Sequence, residues 1–579
     1  MGFLKQDAPH VEDFAAWSAG TRAEKIVPMA RHWAEVGFGT PVVLHLFYVV
    51  KILAYVVVAL LIVLFTPGIS GLGQIDAWWT EPIVFQKVVL FTMLFEVLGL
   101  GCGFGPLNNR FFPPMGSVLY WLRPKTIRLP PWPGRVPLTR GTTRTYVDVG
   151  LYAALLVMLV VALCSGGTGP IPALDSSIGV LPVWQIAAVV GLLALCGLRD
   201  KSIFLGARGE VYGSLAVAFL FTGVDIVIAA KLVFLMIWMG AAVSKLNRHF
   251  PFVISTMMSN NPVLRPRWLK RKFFTRVPDD LRPSGLSRLV AHVATAIELL
   301  VPLVLFFSSG GWPTAVAAAV MIAFHFGILA SIPMGVPLEW NVFMVFGVLF
   351  LFVGHAGVGL TDLASPWPIL LFAVLAAVVV LGNLSPRRVS FLPGMRYYAG
   401  NWDTSLWCVK PSASAKIGEH VVAIAAMPAA QMERYYGSPE NAQLYMYMGY
   451  AFRAFNTHGR AMFTLAHRAM AGRDEADYVL TDGERITSTA IGWNFGDGHM
   501  CNEQLIEALQ ERCGFEPGEV RVVLIDGQPI QHQSQRYRLV DAATGEFESG
   551  YVNVADMVNA QPWDDTIPVH VDERPGVSP

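Results

Sequence analysis

Charge is scarce in this sequence. Only 15% of its 579 residues are Asp, Glu, Lys or Arg, against about a quarter in soluble domains. The net charge of +1 and the lack of a basic low-complexity tail leave no electrostatic footprint for nucleic acid. Cysteine is also sparse. The six cysteines, at 102, 164, 196, 408, 501 and 513, form no CxxC pair and no metal-ligand spacing, so neither a disulfide framework nor a metal site is expected. No signal peptide is expected either. Residues 1–40 are polar and mixed in charge, and "DAPHVEDFAAWSAGTRAEK" reads as a short amphipathic helix.

What the chain has instead is apolar length: 54% of the residues are hydrophobic. Runs of about twenty residues recur, each able to cross about 30 Å of hydrocarbon. Spans are expected near 41–65, 83–105, 147–165, 178–197, 286–308, 312–332, 340–358 and 366–384. The stretch 211–246 would exceed about 50 Å as one helix. That is long for one span and short for two, so a break near "FTGVD" (Phe221 to Asp225) is one solution and a single tilted helix the other. The expected fold is a polytopic α-helical membrane protein of nine to ten spans with a C-terminal α+β soluble domain. The divisions fall at 1–40, an amphipathic N-terminus, 41–385, the transmembrane part, and 390–579, the soluble part.

Basic residues orient the spans. The 106–145 loop carries seven Lys or Arg and the 247–285 loop eight, whereas 66–82 and 166–183 carry none. This count places the N-terminus in the cytoplasm, in a plasma (inner) membrane, and favours the same side for the C-terminal domain. In that domain "HVVAIAA" (His420 to Ala426) reads as a strand. Helical spacing marks 439–455 and 459–471, and "HMCNEQLIEALQERCG" reads as a helix stopped by Gly514. "VRVVLIDGQPIQ" and "RYRLVDAATGEFESGYVNV" alternate like strands.

Ionisable groups at membrane depth are costly, and each is a functional candidate. Asp225 is one such candidate, whereas His45, Lys51, Lys87, Glu96 and His355 have structural explanations, by snorkelling, interfacial placement or pairing. Lys231, Lys245, His292, Glu298 and His325 are harder to explain so. Lys231 and Lys245 share a helix face if the helix is continuous, and His292 and Glu298 lie on opposite sides of theirs. A buried structural network remains the competing reading.

"AAVSKLN" (Ala241 to Asn247) resembles a stretch of the vitamin K-dependent gamma-carboxylase family and its bacterial relatives, the horizontally transferred transmembrane domain proteins. The likeness extends over about 180–345, through "LVAHVATAIELLVPLVLFF" and "FHFGILASIPMGVPLEW". It implies that Lys245 is the base that deprotonates a quinol (menaquinol or vitamin K-like), with His292 and His325 assisting and Lys231 and Glu298 at positions of family polar residues. Burial would favour the neutral amine such a base needs. The resemblance also implies a single crossing around the lysine, which would put the following loop on the non-cytoplasmic side, against the charge count. The sequence departs from the family in lacking its loop histidine and its propeptide-binding domain. The whole chain also resembles actinobacterial transmembrane proteins of unknown function.

Three further motifs stand out. "GLGCGFGPLNNRFFPP" suggests close helix packing, with Asn108 and Arg110 placed to hold a lipid headgroup. "PRWLKRKFF" reads as an interfacial segment on anionic lipid. His499 and Glu503 are spaced to pair. Two functions follow: a carboxylase-like enzyme acting on a quinol or lipid-like substrate, or a non-catalytic lipid-handling or scaffolding component of the cell envelope. In the second, membrane lipids are partners and the soluble domain recruits a protein.

Overall fold

Among the described residues, six helices are long and apolar enough to span a membrane: Val42–Leu64, Tyr146–Cys164, Asp225–Ser244, Gly285–Phe307, Gly311–Ala330 and Trp367–Leu384. Shorter apolar helices, Val183–Arg199 and Leu338–Gly354, lie among them, as does Pro82–Val97. The computed structural model describes residues 3, 4, 7, 9–101, 116–331, 337–470, 472–493, 495 and 498–572. Asn108, Arg110 and Asp497 lie outside the described residues.

The 211–246 stretch is broken where the sequence suggested. The chain runs through short helices Lys201–Gly206 and Ser214–Ala218, turns at 219–224, and re-enters as the continuous helix Asp225–Ser244. That helix is apolar on every side and buried on nearly every side, so it forms the bundle axis. Asp225 starts it and is tied to the 355–366 loop, accepting from Ala364 N at 2.9 Å and Ser365 Oγ at 2.6 Å. Asn247 ends it. Its Nδ2 donates to Ser244 O at 2.5 Å, and its Oδ1 accepts from the N–H groups of His249 and Phe250. One side chain thus satisfies an orphan carbonyl of one helix and two N–H groups at the start of the next, Phe250–Asn260.

Strands are labelled here in chain order, and the last six build the C-terminal part. A small hairpin pairs β1 (Phe274–Arg276) with β2 (Asp280–Pro283). The main sheet comprises β3 (Thr404–Val409), β4 (Val479–Asp482), β5 (Val520–Ile525), β6 (Ser534–Asp541), β7 (Gly545–Asn553) and β8 (His570–Val571), in the antiparallel order β4-β3-β5-β6-β7-β8. Alternation sorts the side chains of β3 and β5 between two cores. Trp407, Val409, Val522 and Leu524 join the hydrophobic cluster that fills the bundle and holds Leu505 and Leu509 of helix Glu503–Cys513. Leu406, Cys408, Val523 and Ile525 face helices Pro439–Phe455 and Thr457–Met470, together with Trp33 of the N-terminal helix Arg22–Val36.

One strand expectation is corrected. Residues 411–420 form a helix opened by Pro411, and 421–427 are irregular. The N–H groups of Ile424 and Ala425 donate to the Tyr120 hydroxyl at 3.0 and 3.1 Å, so they are not available to a ladder.

These contacts sort the loops into two faces. The N-terminal helix reaches the C-terminal part through Arg22, which bonds Phe463 O and Glu475. The 116–145 segment reaches it through Tyr120 to Thr489 O at 2.5 Å and Thr142 to Arg512. The 245–285 segment does so through His249 to Gln528 at 2.6 Å and Leu281 N to Gln561 at 2.9 Å. The loops poor in basic residues meet on the other face, where His355 bonds Thr80 O at 2.9 Å and Ser177 N donates to Glu81 at 2.9 Å. A reporter fused at either chain end is therefore expected to report the same side, and one inserted near Gly169 the other. Opposite readings from the two ends would overturn this path.

Candidate functional site

Lys245 caps the axial helix, and its side chain enters a cavity of about 360 Å³. The amine pairs with Glu298 of helix Gly285–Phe307, and both side chains are nearly inaccessible, at 9% and 5% residue exposure. The ammonium also lies 5.4 Å from the centre of the Phe250 ring. Pairing is the condition for a cation at this depth, because water is not there to solvate it.

His325, 3% exposed, lines the same cavity. Its Nε2 accepts from the Trp238 indole at 3.2 Å, and its Nδ1 faces Asn341 Oδ1 at 2.8 Å. An indole nitrogen can only donate. His325 is thereby a neutral imidazole with its proton on Nδ1, given to Asn341, whose amide in turn donates to Pro337 O at 2.7 Å. Both ring nitrogens are engaged, so this histidine positions the wall instead of standing free as a proton shuttle.

Arg208 forms another part of the lining. It sits at φ 53°, a left-handed conformation that costs a side-chain-bearing residue about 1–3 kcal/mol. The cost is offset by a 2.7 Å pair with Glu210 and by aromatic rings: Trp340 at 4.3 Å, Phe495 at 5.1 Å and Tyr397 at 5.4 Å. Tyr397 further donates to Glu210 at 3.0 Å. The chain leaving the last membrane helix thus supplies part of the cavity. The rim is half-buried: Ile254, Met257, Val290, Ala294 and Ile328, on three neighbouring helices.

The other anticipated residues lie elsewhere. Lys231 is on the axial helix but about 21 Å from Lys245 along its axis. It donates to His355 O at 2.9 Å and Val358 O at 2.6 Å on the face poor in basic residues. His292 is exposed on the outside of its helix and does not line the cavity, as the opposite-side spacing from buried Glu298 requires. Lys51 pairs with Glu339 at 2.9 Å, and Lys87 donates to Thr66 at 2.8 Å. His499 and Glu503 do not pair. His499 lies 3.3 Å from Asp403 and Glu503 accepts from Arg538 at 2.7 Å, because Asn502 opens the second helix between them. Burial alone would raise the Asp403 carboxyl, yet the hydrogen bond and charge of His499 and then the charge of Arg396 hold it below its ordinary range. No metal-ligating cluster occurs among the described residues.

Sequence reasoning missed Arg208, Trp238, Asn341 and Tyr397. The readable signal was "GARGE", a charged pair amid glycines inside an apolar stretch.

This bundle, sheet and buried pair define a multi-pass helical membrane protein with a C-terminal region built on a β-sheet and a polar pair inside the bundle. The chain belongs to the family described as transmembrane protein of unknown function (DUF3556), whose model matches residues 1–572. No curated protein and no solved structure matches it.

Removing one member of the central pair strands the other. Lys245→Met or Glu298→Gln alone is expected to lower stability by about 3–5 kcal/mol. Lys245→Met combined with Glu298→Leu should recover most of that loss. Thermal melting in detergent measures both; a double-variant loss equal to the sum of the two single losses would show that the two groups act independently.

Proposed function

We propose that the cavity beside Lys245 holds a membrane-borne amphiphile with a compact polar head, a quinol or a lipid-like molecule. The observation that carries this is the placement of the Lys245–Glu298 pair, with Arg208 and His325, in a largely apolar cavity whose rim is made of half-buried residues on three helices. Ligand sites of this kind occupy about 300–1,000 Å³ and are apolar with a few converging polar groups, and about 360 Å³ fits that range. A ligand arriving through the bilayer would pass Ile254, Met257 and Ile328 before its head reached Glu298.

The pair suits acid–base chemistry on a hydroxyl. The O–H bond breaks, its proton passes to the Glu298 carboxylate, and the oxyanion left behind rests against the Lys245 ammonium. Charge in the cavity is conserved, and no water is needed. The carboxylase resemblance gives the proton-accepting role to Lys245 itself; the pairing supports Glu298 as the acceptor and Lys245 as the stabilising cation. Arg208 lines the same cavity and His325 holds its wall. With the basic loops gathered on one face, that face is the cytoplasmic one.

A non-catalytic lipid-holding role is the second reading. It is favoured by the completeness of the site, since the ion pair and both His325 nitrogens are satisfied within the protein.

Mass spectrometry of organic extracts from purified protein tests occupancy. A single quinone or lipid species is expected at near-stoichiometric ratio. Ala294→Trp, which fills the cavity from its half-buried rim, should deplete that species at least about tenfold with melting unchanged, since the new side chain takes the ligand's place. Equal content in wild type and Ala294→Trp would refute the cavity as the site. Lys245→Met/Glu298→Leu separates the two readings: retained ligand without turnover supports chemistry at the pair, and retained ligand with unchanged behaviour supports the holding role.

A further inference from the structure

A second cavity, of about 460 Å³, lies at the foot of helix Val42–Leu64, between that helix and the segment 262–270. Its basic wall is Arg265, Arg267 and Lys270, with His45 from the membrane helix. Two carboxylates, Asp7 and Glu35, also line it, and Glu35 is committed to Arg271 at 2.7 Å.

Lys270 is the informative residue. It is only 3% exposed, yet its amine has one weak hydrogen bond among the described residues, to Val36 O at 3.4 Å. Lys245, Lys51 and Arg208 each have a carboxylate and Lys231 has two carbonyls, while Lys87 has one short bond, to the Thr66 hydroxyl. Burial, and then the charge of Arg267, push the Lys270 amine down to about 8. The arrangement is a recess with an excess of positive charge, since Arg265, Arg267 and Lys270 face Asp7 while Glu35 is taken by Arg271. His45 contributes no fixed charge: its Nδ1 donates to Pro41 O at 3.2 Å, and its buried Nε2 has no hydrogen-bond partner among the described residues.

The surroundings identify where that charge comes from. Val42, the first residue of a membrane span, lines the recess. Beside it Val263 and Trp268 stand 73% and 61% exposed, with the Lys272 amine 4.9 Å over the Trp268 ring. Exposed apolar side chains interleaved with cations, at the level where a span begins, match the headgroup boundary of a bilayer.

We infer that this recess is a binding site for the phosphate headgroup of an anionic phospholipid, held by Arg265, Arg267 and Lys270 while Val263 and Trp268 enter the acyl boundary. Arg265 and Arg267 offer the planar donor fork that suits phosphate oxygens, and Lys270 offers the buried point charge. This site is separate from the Lys245 cavity and stands whether or not that cavity binds a ligand.

The test uses the full chain in detergent micelles doped with phosphatidylglycerol or phosphatidylcholine, read by melting temperature and by native mass spectrometry. Phosphatidylglycerol is expected to raise the melting temperature and to be retained, and phosphatidylcholine to do neither. Removing two cations with Arg265→Gln/Arg267→Gln should weaken retention by about thirtyfold. Arg123→Gln/Arg276→Gln removes the same charge from the same face, outside the recess, and should leave retention intact. Lys270→Met should keep its melting temperature in phosphatidylcholine and lose the response to phosphatidylglycerol. Equal losses for the two double variants would reduce the effect to diffuse surface charge and overturn the site. An equal response to inorganic phosphate alone would overturn the lipid assignment. A fall in melting temperature of Lys270→Met in phosphatidylcholine would overturn the idea that the lysine awaits an anion.

Discussion

A charged side chain at hydrocarbon depth persists only if something at that depth satisfies it, and most of this bundle follows from how each such charge is met. Lys245 is met by Glu298, Lys51 by Glu339, Arg208 by Glu210, and Lys231 by two backbone carbonyls. Each solution ties the helix bearing the charge to another part of the chain. Glu298 brings helix Gly285–Phe307 against the axial helix, and Glu339 brings helix Leu338–Gly347 against Val42–Leu64. Packing between apolar helices in lipid is weakly directional, because lipid tails are as apolar as leucine. The polar ties therefore select one arrangement among many that would bury similar area.

The same ties explain why the cavity lies where it does. The axial helix ends at Lys245 because Asn247 closes it and opens the next helix. The lysine is thereby held at a helix terminus, where the chain turns away and leaves space beneath it. Arg208 and the rings around it lie in the same cavity, and Tyr397 there belongs to the segment leading to the sheet. A pocket whose wall is shared between bundle and sheet domain couples the two: rearranging the ligand's surroundings would press on Tyr397 and Phe495, and movement of the sheet domain would alter the cavity. The hydrophobic cluster running from the bundle into one face of β3 and β5 gives that coupling a rigid medium.

Much of this was legible in sequence for a plain reason. In runs of Leu, Val and Phe, a lone Lys, Glu or His stands out, and Lys245, Glu298 and His325 were selected on that rarity and do converge. Helical spacing supplied relative faces only. It separated His292 from Glu298 correctly but could not say which of the two looks inward, and His292 proves to be the exposed one. Lys231 shared a helix with Lys245, yet sharing a helix is not proximity when about four turns intervene. Arg208 escaped because its role depends on rings more than 100 residues away and on a left-handed backbone that no periodicity encodes. Strands β5, β6 and β7 were readable as runs bounded by turn residues, whereas β3, buried on both faces, β4 and β8 were not. Val421–Ala426 was not, since a tyrosine from the membrane-proximal loop takes its N–H groups.

The two buried lysines on the basic face make the final contrast. Lys245 has a carboxylate inside the protein, and among the described residues Lys270 has a single long bond, to a carbonyl. Burying an ammonium costs several kcal/mol unless it is compensated, so the first lysine is explained by the fold and the second is not. A fold can leave such a charge unmet only if its working surroundings supply the counter-charge, and a membrane protein works against a surface of phosphates. The positions agree with that division: the met lysine is inside the bundle, where no phosphate can follow, and the unmet one lies at the start of a span. Charge in this chain is therefore scarce where only the protein can answer it, and concentrated where the bilayer can.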